Sequence, residues 1–258
     1  MQTKTPSPIT EFSESFKKEI ESRILVCRKT GVQAYAAFDA DGTLWDIDIG
    51  ELFFHYQIQK CRLPNMPADP WRHYIDLKTV DRIKAYYWLA QINFGQTLSQ
   101  VQSWSETALR EYGPIPILKS SAGLVEFLRA NGVEVFVVTA SVKWAVEPAA
   151  ALLGIDRSHV LGMATEVVGG VVSDRPVPPA TYLQGKADAL LLATGGVAPI
   201  FCAGNTVGDT ALLNASSGVR LAVRTQSTGD VDNHLLEDEL GLYKEAVKRE
   251  WLSHAYRG

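Results

Sequence analysis

Short apolar runs alternate with longer stretches of helical periodicity along most of the chain. In the first stretch, residues 10–28, apolar positions recur at helical spacing, and we expect a helix with Thr10 as its N-cap. This alternation of helices and buried strands predicts an α/β fold, with a mostly parallel sheet flanked by helices. The predicted strands are residues 35–38, 133–139, 198–203 and 219–223.

Residues 46–116 differ from the rest because they contain helical patterns and no strand-like run. We therefore expect a core domain, residues 1–45 and 117–258, with residues 46–116 inserted as a helical domain. The helices predicted in this insertion cover residues 49–61, 71–94 (as one or two segments) and 99–112, the last one capped by Ser99.

Two segments of the predicted core have their own patterns. Residues 159–172 contain the pair Gly169-Gly170 and predict a hairpin or flap. Residues 231–256 are rich in charged residues and mostly helical in pattern, and we expect a surface helix there. The remaining predicted helices of the core cover residues 118–130, 142–153 and 186–192.

Composition narrows the class of protein. The 258 residues are 46% hydrophobic and 21% charged, as in ordinary globular proteins, with a net charge of -4. The chain has no cluster of Lys and Arg and no apolar run as long as a membrane span, so we expect neither a nucleic-acid partner nor a membrane partner. The first residues lack a signal-peptide pattern, which indicates a cytoplasmic protein, or a periplasmic one if a signal peptide was removed.

The three cysteines, Cys27, Cys61 and Cys202, are odd in number and widely separated. Their spacing fits neither a zinc site nor a redox pair. We expect free, buried thiols in a reducing compartment.

Two carboxylates follow the first predicted strand. Asp39 and Asp41 come directly after the run that ends at Phe38, and a turn pair, Gly42-Thr43, follows them. Acids at the end of a buried strand are costly unless they bind a cation, exchange a proton, or do both. The carboxyl end of a strand in an α/β sheet is also where ligands bind.

Three further polar groups stand at strand ends or helix starts. Thr139 ends a predicted strand, Lys186 begins a predicted helix, and Asn205 and Asp209 occur in a glycine-flanked loop after another strand. Taken separately, Thr139 would be interpreted as a cap and Lys186 as a surface group. Together with Asp39 and Asp41, their order resembles the four motifs of the haloacid dehalogenase superfamily, a group dominated by phosphatases. The resemblance covers residues 34–45 and 118–225.

This resemblance implies a Rossmann-like core with a helical cap inserted after the first motif, where it covers the active site and selects the substrate. It implies that Asp39 attacks phosphorus and forms an aspartyl-phosphate. Asp41 would protonate the leaving oxygen and then deprotonate the attacking water.

The resemblance also implies a phosphate-binding group and a metal site. The Thr139 hydroxyl and the Ala140 amide, the latter at a helix N-terminus, would bind phosphate. Lys186 would neutralise the phosphate charge and hold Asp39 in place. The expected cofactor is Mg²⁺, with oxygen ligands from Asp39, the Asp41 carbonyl, Asn205 and Asp209.

The fourth motif departs from the family pattern, which has an aspartate where this chain has Asn205. Asparagine offers a carbonyl oxygen to Mg²⁺ but removes one negative charge, so either metal affinity drops or Asp209 contributes more. A Mg²⁺-dependent phosphomonoester hydrolase is the first expectation. The alternative is a catalytically weak or inactive protein that binds a phospho-ligand in a regulatory role. Asp41 favours phosphoryl chemistry over dehalogenation, since the dehalogenase branch lacks this second acid.

The insertion contains the clues to the substrate. Asp48 and Glu51, three residues apart, would share one helix face. The architecture resembles phosphoserine phosphatases, and the segment after the first motif resembles the phosphorylcholine phosphatase branch. A cationic head group is therefore expected: phosphocholine or phosphoethanolamine first, then phosphoserine. The alternative is that these acids only complement a helix dipole and that the aromatic residues are core. The aromatic residues are Trp45, Trp71, Tyr74, Tyr86, Tyr87, Trp88 and Trp104.

The expected partner is a small-molecule phosphate ester. The sequence leaves the oligomeric state open.

Overall fold

A computed structural model describes residues 12–225 and 233–256. Its α-helices are α1 (Glu14–Thr30), α2 (Ile49–Lys60), α3 (Pro70–Val80), α4 (Arg82–Gln91), α5 (Leu98–Tyr112), α6 (Lys119–Ala130), α7 (Lys143–Leu152), α8 (Gln184–Ala193), α9 (Thr210–Asn214) and α10 (Asn233–Lys248). Its strands are β1 (Tyr35–Phe38), β2 (Glu134–Val142), β3 (Val160–Met163), β4 (Thr165–Val168), β5 (Val171–Pro176), β6 (Phe201–Gly204), β7 (Val219–Thr225) and β8 (Leu252–Tyr256).

Among the described residues, six strands form one sheet in the order β3-β2-β1-β6-β7-β8. The pairs β1–β6, β2–β3, β6–β7 and β7–β8 are parallel. The predicted α/β fold, with a mostly parallel sheet flanked by helices, is confirmed. The order runs outward from β1 to β3 on one side and from β6 to β8 on the other. The carboxyl ends of β1 and β6 therefore lie where the strand order reverses, the place where open α/β sheets bind ligands.

The helix boundaries follow local capping rules. Helix α1 begins after Ser13, whose hydroxyl accepts a hydrogen bond from the Phe16 amide at 3.2 Å, whereas Thr10 lies outside the described residues. Thr97, not Ser99, caps α5 by accepting from the Gln100 amide. The segment 71–94 forms two helices because the Asp81 side chain caps α4 where α3 ends.

Two predictions about strands need correction. Residues 231–256 were expected to form a single helical segment, but α10 ends at Lys248 and β8 pairs with β7. In 159–172, the predicted hairpin exists as β4 and β5, whose turn places Gly169 and Gly170 at positive φ. The first part of that segment, β3, is a strand of the main sheet instead.

Contacts divide the chain into two compact units. The first contains Met1–Asp46, Pro116–Phe136 and Leu190–Gly258, and the second contains Ile47–Ile115 and Val137–Ala189. The chain passes between the units within β2 and α8. The predicted insertion thus groups with residues 137–189, whereas its independence as a domain stays a prediction.

Each unit has its own core. In the first unit, the Phe38 and Phe201 rings lie 5.1 Å apart between β1 and β6. In the second unit, Phe54 packs against Trp71, Tyr74 and Trp88. Within the described part of the chain, no helix is both long and apolar enough to cross a membrane.

The cysteines are free, as predicted, but only Cys202 is buried, while Cys27 and Cys61 are partly exposed.

Candidate active site

Asp39 and Asn205 follow neighbouring parallel strands. Phe38 pairs with Ala203 across β1 and β6, and the Asp39 amide donates to the Ala203 carbonyl at 2.9 Å. Asp39 is 6% exposed and Asn205 is 2% exposed. The sheet thus brings together the two motif residues that the sequence places at the ends of these strands.

Thr43 joins these two side chains. Its Oγ1 donates to Asp39 Oδ2 at 3.1 Å and lies 3.4 Å from Asn205 Oδ1. Gly42 has a φ of +79°, and a Cβ at this position would lie 2.0 Å from Asn205 Nδ2. A glycine is required here because the turn after Asp41 lies directly against the Asn205 side chain.

Asp41 has a partner that the sequence did not indicate. The Trp45 indole Nε1 donates to Asp41 Oδ1 at 2.7 Å, and Trp45 is fully buried. Trp45 lies in the first unit, so its grouping with the aromatic residues of the insertion was wrong. Because an indole N–H only donates, Oδ1 must act as an acceptor, and a proton on this carboxyl group resides on Oδ2.

Asp209 stabilises the loop that contains Asn205. Its Oδ2 accepts hydrogen bonds from the amides of Asn205 and Thr206, both at 3.1 Å, and from Thr206 Oγ1 at 3.3 Å. A Cβ on Gly204 would lie 2.4 Å from the Asp209 Cβ, so the loop closes tightly around this buried carboxylate. These contacts account for Asp209 as a structural group, and its role as a metal ligand stays a prediction.

Glu239 is a buried polar residue near Asn205 that the sequence did not indicate. Asn205 Nδ2 donates to Glu239 Oε1 at 3.3 Å, and Glu239 is 5% exposed. Helix α10 was interpreted as a surface helix because of its charge. Glu239 precedes the buried Leu242 and Ala246 by three and seven residues, so all three lie on one helix face. This spacing is the sequence signal that could have indicated a buried Glu239.

The oxygen atoms around Thr43 fit a magnesium ion. Asp39 Oδ2 and Asn205 Oδ1 are hard oxygen donors, both buried and both near Thr43 Oγ1. Among the described residues, no three His, Cys, Asp or Glu side chains form a complete cage. Mg²⁺ commonly retains several waters and binds through one or two protein carboxylates, so this sparse donor set suits it.

The second unit contains Thr139 and Ala140. Thr139 is buried and its Oγ1 accepts from the Ser141 amide at 3.0 Å. Between the pairs Val138–Leu161 and Val142–Met163, β2 has two more residues than β3, so Thr139 and Ala140 lie in a bulge. The expected position of the Ala140 amide at a helix N-terminus is wrong, because α7 begins only at Lys143.

Lys186 lies in the first turn of α8 and is 5% exposed. A Cβ on Gly185 would lie 1.8 Å from the Ala180 carbonyl oxygen, so this tight turn requires glycine. Burial raises the pKa of Tyr86 to about 12, while the positive charge of Lys186 acts in the opposite direction. The Lys186 ammonium group is therefore near Tyr86 in this unit.

Asp48 and Glu51 have different environments. Asp48 caps α2, and its Oδ1 accepts from the Glu51 amide at 2.7 Å. Glu51 Oε1 lies 3.3 Å from Lys78 Nζ, which in turn lies 5.2 Å from the centre of the Tyr74 ring. The protein thus supplies its own cation to Glu51. Burial and the neighbouring Tyr182 are the main causes of the raised pKa of Tyr86, and the negative charge of Asp48 raises this pKa by a smaller amount. The charge of Asp48 therefore acts on the Tyr86 hydroxyl.

Several aromatic residues of the insertion pack on one another. Phe54 is almost fully buried among Trp71, Tyr74 and Trp88, and His55 stacks on Trp71 with the ring centres 4.4 Å apart. These contacts support the interpretation of this group as core.

Gly50 adjoins the Thr139 bulge. A Cβ on Gly50 would lie 2.7 Å from Ser141 Oγ. Neither Gly50 nor Ser141 was indicated by the sequence, because their proximity depends on tertiary structure.

Solved structures with similar folds come from several bacteria. A protein of unknown function from Bordetella pertussis Tohama I matches with a TM-score of 0.68 and 19% identity, over 86% of this chain and 97% of the other. A functionally unknown protein from Anaerococcus prevotii matches with a TM-score of 0.65 and 14% identity, over 97% and 94%. A phosphoserine phosphohydrolase-like protein from Francisella tularensis matches with a TM-score of 0.50 and 19% identity, over 74% and 87%. At these identities the similarity concerns the fold.

No curated protein sequence matches the chain. The family model of haloacid dehalogenase-like hydrolases matches residues 36–214, which is more than half of the chain and includes all four motifs. The chain therefore belongs to the haloacid dehalogenase-like hydrolase family.

Proposed function

We propose that this protein is a Mg²⁺-dependent phosphomonoester hydrolase that acts on a small phosphometabolite. Membership of the family supports phosphatase-type activity. The observation that carries the proposal is the convergence of Asp39 Oδ2 and Asn205 Oδ1 near Thr43, at the carboxyl ends of β1 and β6. A bound Mg²⁺ would be held by Asp39 and Asn205 and would supply positive charge to the phosphate oxygens.

The proposed reaction has two displacements. An oxygen of Asp39 attacks phosphorus, the bond between phosphorus and the ester oxygen breaks, and Asp41 transfers its proton to the leaving oxygen. Asp41 then removes a proton from a water molecule that attacks the aspartyl-phosphate, which releases phosphate and restores Asp39. The indole of Trp45 orients Asp41 through its bond to Oδ1. On the motif resemblance, Thr139, Ala140 and Lys186 are proposed to bind phosphate.

The proposed substrates have a cationic head group, with phosphocholine and phosphoethanolamine ahead of phosphoserine. We assign the head group to Asp48, and Glu51, which pairs with Lys78, serves as its comparison. Its charge on the Tyr86 hydroxyl supports this assignment, since an aromatic ring beside a carboxylate attracts ammonium groups.

Hydrolysis of p-nitrophenyl phosphate and of a phosphometabolite panel, with Mg²⁺ and with EDTA, tests the reaction. We expect Mg²⁺-dependent turnover that Asp39→Asn abolishes, because an amide is a poor nucleophile. The exposed Asp174 provides a matched control, and Asp174→Asn should leave the rate unchanged. Full activity in Asp39→Asn would refute the aspartyl-phosphate mechanism.

The head group is tested by comparing two acids of one helix. Asp48→Ala should raise KM for phosphocholine, whereas Glu51→Ala should leave it close to the wild-type value. Equal KM values for wild type and Asp48→Ala would contradict the proposed cationic pocket.

Asn205 supports a second candidate, a protein that binds a phosphate ester without turnover. Tight binding of a phosphate ester with no hydrolysis in the presence of any divalent metal would favour this candidate over the hydrolase.

A further inference from the structure

Glu239 forms a buried polar pair with the motif residue Asn205. The Nδ2–Oε1 distance is 3.3 Å, and the two side chains are 2% and 5% exposed. A carboxylate is rarely buried without a specific partner, because leaving water costs it free energy. One partner here is Asn205, the residue that stands where the family pattern has an aspartate.

Helix α10 is held against the loop that contains Asn205. Gly241 lies two residues after Glu239, and a Cβ there would lie 2.6 Å from Val207 Cγ1. On the same helix, Leu242 and Ala246 are fully buried against Leu213 and Ala222. The close approach at Gly241 and this apolar contact fix the position of Glu239 relative to Asn205.

The pair determines which atom of the Asn205 amide faces Thr43. A carboxylate can only accept, so Glu239 must bind the NH₂ group of the amide. The carbonyl oxygen Oδ1 is thereby directed to Thr43, 3.4 Å away, on the side of Asp39 Oδ2. Without Glu239, a rotated amide would present hydrogen atoms to a cation at this point.

The pair also preserves the local charge. The family pattern has one carboxylate at position 205, and this chain has a neutral amide in contact with one carboxylate, Glu239. The net charge of the pair equals that of a single aspartate.

We propose that Glu239 is a positioning residue of the metal site, and that the Asn205–Glu239 pair replaces a single metal-ligating aspartate. This inference rests on the proposed function in that the cation is the Mg²⁺ of the hydrolase. Asn205 supplies the ligand oxygen, and Glu239 supplies its orientation and the negative charge.

Four proteins test the pair: wild type, Glu239→Gln, Asn205→Asp and the double variant. The affinity for Mg²⁺ alone is measured from the concentration at which the cation raises the thermal unfolding temperature. Glu239→Gln should weaken Mg²⁺ binding about tenfold or more, as is usual for residues that orient a metal ligand. In the double variant, the aspartate introduced at position 205 is a direct ligand with the original charge, so Mg²⁺ binding should return near to the wild-type affinity.

Unfolding in EDTA gives a second readout. Asn205→Asp alone places two carboxylates in contact and should lower the unfolding temperature, and adding Glu239→Gln should restore it. Glu237→Gln, at an exposed acid on the same helix, is the matched control and should change neither quantity. A merely structural role for Glu239 would give the same recovery in EDTA, because residues in contact are not additive, but would leave the Mg²⁺ affinity of Glu239→Gln at the wild-type value.

The inference is overturned if Glu239→Gln binds Mg²⁺ as wild type does, if Asn205→Asp fails to rescue it, or if wild type does not bind Mg²⁺. Mg²⁺-dependent hydrolysis without an effect of Glu239→Gln would leave the proposed function intact. Conversely, the expected pattern of Mg²⁺ affinities without hydrolysis of any phosphate ester would support the pair and refute the hydrolase.

Discussion

The hydrogen bond from Trp45 to Asp41 is the contact on which the proposed proton transfer depends most directly. Trp45→Phe keeps an aromatic ring in the buried site but removes the donor. We expect kcat for p-nitrophenyl phosphate to fall about tenfold, the equivalent of about 1.4 kcal/mol, with little change in KM. Steady-state kinetics measure both constants.

A second tryptophan controls for the change in ring size. Trp251 packs beside the apolar cluster of α10 and β7, with Arg249 over its ring. Trp251→Phe should leave kcat unchanged even if it lowers stability. An undiminished kcat in Trp45→Phe would contradict the role of the indole.

The cysteine thiols provide a prediction about pH. Burial raises the pKa of Cys61 to about 11 and also raises the pKa of the fully buried Cys202 thiol. Since the thiolate is the reactive form, Cys61 should react slowly with iodoacetamide at pH 8, and its rate should rise about tenfold per pH unit up to pH 10. Cys202 should react only after unfolding. Peptide mapping by mass spectrometry follows each site, and a Cys61 rate that levels off between pH 8 and 9 would contradict this prediction.

Individual site residues were predictable from the sequence where chemistry coincides with a strand end. Asp39 and Asn205 follow continuous apolar runs, and adjacent parallel strands bring such positions together. Trp45 and Glu239 could not be assigned in this way. The contact of Trp45 with Asp41 depends on the turn after Asp41, and the contact of Glu239 with Asn205 depends on the packing of α10. Both are features of tertiary structure.

Helices α5 and α7 are joined by a buried ionic group. Glu147 is 2% exposed and accepts a hydrogen bond from Gln102 at 2.9 Å, with Lys143 Nζ at 3.4 Å. Burial lowers the pKa of Lys143, and the charge of Glu147 opposes this effect. Glu147→Ala should lower the free energy of unfolding by about 2 kcal/mol, because it leaves the Gln102 amide and the partly exposed Lys143 ammonium without their carboxylate.

The neighbouring Arg157 provides a comparison between a buried and an exposed acid. Its guanidinium lies 3.9 Å from Glu147 and also pairs with Glu106, and the Arg157 and Glu106 side chains are both 47% exposed. Glu106→Ala should cost less than about 1 kcal/mol, since exposed ion pairs are screened by water and salt. Urea unfolding measures both variants, and equal losses would contradict the assignment of Glu147 as the buried link.

Elements were predictable where periodicity and caps agree, as in α2, which begins after the capping Asp48. Strand β8 was missed because its five residues follow a long charged helix without a proline or a strong apolar run. Its pairing with β7 supplies the stability that the local sequence lacks. Strand β3 was assigned to a hairpin for a similar reason, since a short apolar segment fits either structure.

The division of the whole chain could be predicted only in part. The sequence identified residues 46–116 as helical, which the structure confirms. It did not indicate that these helices group by contacts with residues 137–189. Such grouping depends on long-range packing, for which the pattern of one segment contains no signal.

The contacts of the insertion predict how it behaves in isolation. Backbone hydrogen bonds join Gly95 and Gln96 to Val172, and Leu98 to Gly170, so the loop before α5 continues the sheet of β5. In addition, Tyr87 Oη donates to the Val177 carbonyl at 2.8 Å. A polypeptide of residues 47–115 would lose all of these contacts together with the packing of α5 on α7. Short helices without their packing partners are marginal in water.

We therefore expect the isolated segment 47–115 to unfold gradually in urea, without a cooperative transition, while the full chain unfolds sharply. Circular dichroism at increasing urea measures both proteins, and the full chain serves as the reference for helix signal and steepness. The slope of a cooperative transition scales with the surface that unfolding exposes. A steep transition with the slope appropriate to this segment would show that the insertion is an autonomous domain, as its helical pattern alone suggests.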